Sequence, residues 1–219
     1  MAKVRILFQG DSITDCGRKN LGDLAGLNLK ELGPGYPSMV AARLLCEHPE
    51  VEWDFINRGC SGHRIVDLYG RWKAQTINLE PDVLSILVGV NDSWHELMDR
   101  NGVEVPRYAR FYRELLEWTK RELPNIKFVL IDPFVFTPIG ATLKLADEIA
   151  ERRAVVAELA KEFDAIHIKM QDIFDEACKR APVEHWSADG VHPSLAGQYL
   201  LASEWYKAVT PMLLETAKK

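Results

Sequence analysis

Short apolar runs alternate along the chain with longer stretches in which apolar residues recur at helical spacing. Five runs, at residues 4–9, 52–56, 83–89, 127–131 and 165–168, have the length and apolar content of buried strands. Most are nearly continuous in their apolar residues, the pattern of strands covered on both faces of a parallel sheet. Between and after them the periodicity predicts helices at about 37–46, 65–77, 107–121, 143–162 and 194–214. In the third, Phe111, Leu115 and Leu116, with Leu123 just beyond, oppose Arg110, Glu114, Glu117 and Lys120. That apolar stripe is expected to cover a sheet. The charged positions Glu148, Glu151, Arg152, Arg153, Glu158, Lys161 and Glu162 read as a solvated helix face with pairs at i,i+4.

The alternation predicts an α/β class, a three-layer α/β/α sandwich around a five-stranded parallel sheet, with residues 1–219 as a single domain. Right-handed crossovers gather the carboxyl ends of parallel strands on one edge, and ligands bind in the crevice outside it. Chemistry is therefore expected in residues 10–14, 57–64, 89–94 and 132–138 and in the loop before the last helix. Residues 14–37 carry five glycines and are too long for an ordinary connection, so they are expected to form a surface loop that shapes the site.

Composition narrows the classes. The 219 residues are 47% apolar and 27% charged, enough for one sizeable core. The net charge of -5 comes from interspersed signs without a basic block, so neither nucleic acid nor an anionic membrane is an expected partner. No uninterrupted apolar segment has the length of a signal core or a bilayer span, and a cytoplasmic location is expected. Cys16, Cys46, Cys60 and Cys178 show no CxxC spacing and read as reduced thiols, and no metal site is expected. A homo-oligomer is left open.

Four short motifs fall on the expected edge. Gly10-Asp11-Ser12 follows the first strand; by itself it fits a capped turn as well as a free serine hydroxyl. Asp189-Gly190-Val191-His192 precedes the last helix, where Gly190 and Pro193 pin a turn. Such a turn lets Asp189 accept from one imidazole nitrogen while the other faces the crevice. Imidazole, with an ordinary pKa of about 6.5, suits proton cycling near neutrality. Asn57 to Gly62 offers backbone N–H groups without side chains in the way, and Asn91 in Gly89-Val90-Asn91-Asp92 offers a side-chain amide. Together with the Ser12 N–H these make a three-donor oxyanion hole.

Taken in order, Gly10-Asp11-Ser12-Ile13-Thr14, Ser61-Gly62, Gly89-Val90-Asn91-Asp92 and Asp189-Gly190-Val191-His192 resemble the four blocks of the SGNH hydrolases, the GDSL esterase and lipase superfamily. The resemblance implies that family's flavodoxin-like topology, Ser12 as nucleophile, His192 as base and then acid, and Asp189 as its orienter. It implies the Ser12 N–H, the Gly62 N–H and the Asn91 side chain as oxyanion donors, with neither metal nor cofactor. Ile13-Thr14 stands where the family name has leucine, a variant common in the branch acting on acetylated sugars. There is no Gly-x-Ser-x-Gly elbow, which sets the chain apart from the α/β-hydrolases.

For the substrate, Trp94 and Trp186 flank the two halves of the expected site in polar surroundings, and their indole faces suit a sugar ring. Asp11 and Asp92 are further candidate substrate contacts, and His63 a candidate lining residue. Arg58 and Arg64 are expected to pair with Asp67 or Asp92 as supports. The pattern looks most like the branch of the acetylxylan esterases, which implies a small acylated carbohydrate as the molecular partner and, in the cytoplasm, imported oligomers as substrate. A lysophospholipase or thioesterase shares the triad but needs an apolar acyl groove, for which residues 14–37 offer Leu21, Leu24, Leu27, Leu29 and Leu32. A carbohydrate-binding protein without catalysis predicts a lost triad member, and none is lost.

Overall fold

A computed structural model describes residues 3–19, 29–137 and 140–217. Strands β1 (Lys3–Gly10), β2 (Glu52–Asn57), β3 (Val83–Leu87), β4 (Lys127–Ile131) and β5 (Ile166–Ile168) form one sheet in the order β2-β1-β3-β4-β5, every pair parallel. From β2 the chain crosses back over β1 to lay down β3 on its other side. The connections thus change direction between β1 and β3, and the crevice opens there, outside the strand ends.

Around the sheet lie α1 (Ser12–Asp15), α2 (Leu29–Leu32), α3 (Tyr36–Glu47), α4 (Ile65–Gln75), α5 (Val90–Asp99), α6 (Val105–Glu122), α7 (Ala146–Glu162), α8 (Met170–Cys178), α9 (Val183–Trp186) and α10 (Leu195–Thr216). Successive strand residues point to opposite faces. Val4, Ile6 and Phe8 of β1 and Val83 and Leu87 of β3 pack with α3, α8 and α10, against Tyr36, Phe174 and Trp205. Leu7, Leu84 and Ile86 pack on the other face with α4, α6 and α7, against Trp72, Tyr112 and Leu115. Both faces are covered, which is why most of the strand runs are nearly continuous in their apolar residues. The one polar residue within β3, Ser85, accepts from Trp205 Nε1 at 3.0 Å.

The sheet and the five predicted helices are as expected, with ends shifted by a few residues. The 83–89 run stops at Leu87 because Gly89, at φ +140, turns the chain into α5. Helices α5 and α8 are additions; at ten and nine residues each shows only two or three helical turns of apolar spacing. One expectation is corrected: Arg152 is fully buried instead of solvated, its guanidinium bonded to Glu148 and to the Val103 carbonyl. Of the 14–37 segment, Leu21, Leu24 and Leu27 lie outside the described residues. The described part includes α1, α2 and the start of α3. Among the described residues, no helix is long and apolar enough to cross a membrane.

Candidate active site

Ser12 is the first residue of α1, placed directly after β1 by Asp11, whose carboxylate caps the helix by accepting from the Ile13 N–H at 3.0 Å. Gly10 is required just before it. At its φ of +157, a Cβ would stand 2.2 Å from the Leu87 carbonyl oxygen. The ends of β1 and β3 meet that closely, which sets Ser12 beside the start of α5. Among the described residues the Ser12 N–H has no acceptor.

The glycine loop after β2 is bound to this corner by side chains. Asn57 donates to the carbonyls of Thr14 and Leu32 at 2.7 and 2.8 Å and accepts from the Gly59 N–H at 2.8 Å. Asp15 accepts from the Ser61 hydroxyl at 2.5 Å and from its N–H at 3.2 Å. Gly62 sits at φ +81 with open space where a Cβ would project, and its N–H also lacks an acceptor among the described residues. Asn91, in the first turn of α5, donates one amide hydrogen to the His63 carbonyl at 3.2 Å, which leaves its second amide hydrogen available. Three donors thus remain on adjoining elements.

The opposite half is a turn. Ser187 and Pro193 pair across it as an antiparallel bridge, and the Gly190 carbonyl accepts from the Phe136 N–H at 2.8 Å. Asp189 Oδ1 accepts from the N–H groups of Val191 and His192 at 2.9 and 2.8 Å, while Oδ2 lies 2.7 Å from His192 Nδ1. That carboxylate places the ring proton on Nδ1, so Nε2, 2.8 Å from Ser12 Oγ, is free to accept the serine proton. The carboxyl is held down at about 2: burial raises it, but the bonds from the His192 side chain, the His192 N–H and the Val191 N–H outweigh that. Serine and histidine are 180 positions apart in sequence, and Gln198 on α10 helps close that distance, accepting from the Tyr36 N–H at 2.9 Å and donating to the Ile13 carbonyl at 3.3 Å.

Not every candidate reaches the crevice. Asp11 and Asp92 are 1% and 0% exposed, so the expectation that they touch substrate is corrected. Burial pushes both carboxyls up to about 7, against the bonds that each accepts from a backbone N–H, Ile13 for Asp11 and Ile65 for Asp92. Asp92 accepts from the Ile65 N–H at 3.1 Å and so fixes the chain just beyond Gly62. Arg64 pairs with Asp67 at 2.9 Å, one of the expected supports. Trp186 is also a correction: its polar neighbours in sequence concealed a core position, where the indole is 8% exposed beneath the Arg180 guanidinium. Trp94 is half-buried and packs on Val90, Val135, Leu145 and Val191, a small apolar cluster beside the histidine turn.

Two supports had no motif to announce them. Gln198 is one, and Arg71 of α4 is the other. The Arg71 guanidinium donates to the carbonyls of Gly10 and Arg58 at 3.3 and 2.8 Å, to the Gln9 and Gln75 side chains at 2.9 and 2.8 Å, and to His63 Nδ1 at 3.1 Å. It therefore ties the end of β1 to the glycine loop. The only trace in the sequence is an arginine on a helix that directly follows that loop.

The GDSL-like lipase/acylhydrolase family model matches residues 8–200, a span holding all four motifs. The chain belongs to this family. It is an ester hydrolase of the GDSL type. It is similar to the acetylxylan esterase of Geobacillus stearothermophilus, 31% identical over 214 residues that cover 94% of this chain and 93% of the relative. A crystal structure of that esterase superposes with a TM-score of 0.82 at 30% identity, covering 94% of each chain. A GDSL-like lipase structure from Parabacteroides merdae ATCC 43184 superposes with a TM-score of 0.90 at 40% identity, covering 94% of this chain and 95% of the other. Solved variants of the Geobacillus esterase described as catalytic mutants replace a serine and an aspartate by alanine.

Proposed function

We infer that this esterase removes acetyl groups from xylo-oligosaccharides or closely related carbohydrates through an acyl-enzyme on Ser12. One observation carries the chemistry: Ser12 Oγ, His192 and Asp189 form an unbroken hydrogen-bonded line of 2.8 and 2.7 Å, and the N–H groups of Ser12 and Gly62 have no acceptor among the described residues. Ser12 attacks the ester carbonyl as His192 Nε2 takes its proton. The N–H groups of Ser12 and Gly62 and the free amide hydrogen of Asn91 hold the oxyanion. His192 then protonates the departing alcohol, and water repeats the sequence on the acetyl-serine, so acetate leaves and the serine is restored. The sugar acetate is supported by the near full-length likeness to an acetylxylan esterase.

Initial rates on p-nitrophenyl esters of increasing chain length and on acetylated xylo-oligosaccharides test both parts. Replacing Ser12 by alanine is expected to lower kcat by about 10⁴-fold or more; retention of near-parent activity overturns the mechanism. Acetyl esters are expected to exceed octanoyl esters, and the reverse order would point to a lipid or thioester substrate.

A further inference from the structure

His63 follows the oxyanion glycine, and its imidazole takes no part in the triad. Its backbone is fixed on both sides, since its N–H donates to the Cys60 carbonyl at 3.1 Å and its carbonyl accepts from Asn91 at 3.2 Å. The ring is fixed as well. Arg71 Nε carries a hydrogen and accepts nothing, so the 3.1 Å contact requires His63 Nδ1 to be the acceptor. The ring proton of the neutral imidazole then sits on Nε2, across the ring from the Arg71 side chain. Nε2 has no partner among the described residues, yet it is not one of the buried unpaired atoms, so this N–H is open to solvent. Burial first, and then the charges of Arg71 and Arg64, hold the imidazole below its ordinary pKa, while Asp67 and Asp15 oppose the shift.

A neutral donor of fixed direction on the residue that follows Gly62 and is bonded to Asn91 has a use in ester hydrolysis. The carbonyl oxygen is already served by three donors, and the acetyl methyl has nothing to accept. The alcohol half of a sugar ester carries hydroxyl and ring oxygens next to the scissile bond, whereas a simple aryl ester does not. We propose that His63 is a specificity-determining residue, its Nε2–H donating to an oxygen of the carbohydrate moiety beside the ester. This rests on the sugar-acetate reading above. The contact exists in the bound ground state and in the transition state alike, so it acts on KM more than on kcat.

The test compares kcat and KM of the parent, His63→Phe and His63→Gln on an acetylated xylo-oligosaccharide and on p-nitrophenyl acetate. Phenylalanine keeps the ring and loses the donor; glutamine keeps a donor. The ratio of kcat/KM for the sugar to that for the aryl ester is expected to fall about 5- to 10-fold in His63→Phe, mainly through KM, and to recover in part in His63→Gln. Imidazole ¹⁵N spectra of the parent are expected to show His63 as the neutral Nε2–H form at pH 7. An unchanged ratio, an equal loss on both substrates, or a proton on Nδ1 overturns the proposal. A parent that hydrolyses p-nitrophenyl acetate but not the acetylated sugar instead overturns the substrate reading, and the proposal with it.

Discussion

The two halves of the site are built by different means. Ser12, Gly62 and Asn91 stand after the ends of β1, β2 and β3, and what holds them is distant in sequence: the buried Asn57 and Asp92 and the half-buried Arg71 reach across three segments. The His192 half is a single turn in which the bonds that Asp189 accepts span three residues or fewer, tied to the rest of the chain by the Phe136 N–H on the Gly190 carbonyl, with side chains of Asp189 and His192 that are 56% and 52% exposed. The oxyanion half is therefore part of the fold, and damage to it spreads into the sheet edge. The histidine half is a local device, positioned largely through Gln198, and damage to it stays in the chemistry.

Paired measurements of kcat and thermal midpoint can break this comparison. Asp189→Asn keeps an oxygen for the Val191 and His192 N–H groups but no longer fixes the ring proton on Nδ1. By analogy with the serine protease triad it is expected to cost about 10⁴-fold in kcat with little change in midpoint. Asn91→Ala removes an oxyanion donor and the brace on the His63 carbonyl together. The expectation is a smaller loss, about 10²- to 10³-fold, together with a lower midpoint. If the midpoints shift in the opposite order, the contrast fails. Gln198→Ala leaves the Tyr36 N–H buried without its acceptor and loosens His192 from Ser12, so about a 10-fold loss of kcat with a modest fall in midpoint is expected. A midpoint change without a kinetic one would reduce Gln198 to a packing residue.

The smallest effect concerns pH. A carboxyl raised by burial keeps its proton in the folded chain after the unfolded chain has lost it. Stability therefore falls as pH rises from about 4 toward 7. Asp92, pushed up to about 7, contributes to that fall. Asp92→Asn keeps an oxygen for the Ile65 N–H and is expected to shrink the fall without abolishing it, because Asp11 is raised to about 7 as well. Denaturant midpoints from pH 4 to 8 measure it, and an unchanged slope would contradict the assignment.

The sheet was legible because strands covered on both faces write themselves as apolar runs, and α6 because its stripe is long. The hydrogen-bonded line of Ser12, His192 and Asp189 was legible because four short motifs fall in order on one sheet edge and together resemble a family's blocks, although each alone also fits a turn. The supports were not. Gln198 and Arg71 act on backbone carbonyls and N–H groups far away in sequence, and a carbonyl leaves no letter to match. Trp186 misled because its neighbours His185 and Ser187 are polar, whereas its burial is decided by how α8 and α10, on either side of it in the chain, fold back over it. Arg152 misled because a charged residue inside a charged run reads as surface, although the Val103 carbonyl waits behind α7 to receive it.

The bonds from Gln198 to Tyr36 and Ile13 also set an order of events on the ribosome. A growing chain can complete β1, β2 and β3, and with them the serine and its oxyanion donors, well before residue 192 is made. Contacts of such long sequence separation close late. On the proposed mechanism the nascent protein thus passes through a stage that has its nucleophile but no base, and esterase activity is expected only once α10 has docked.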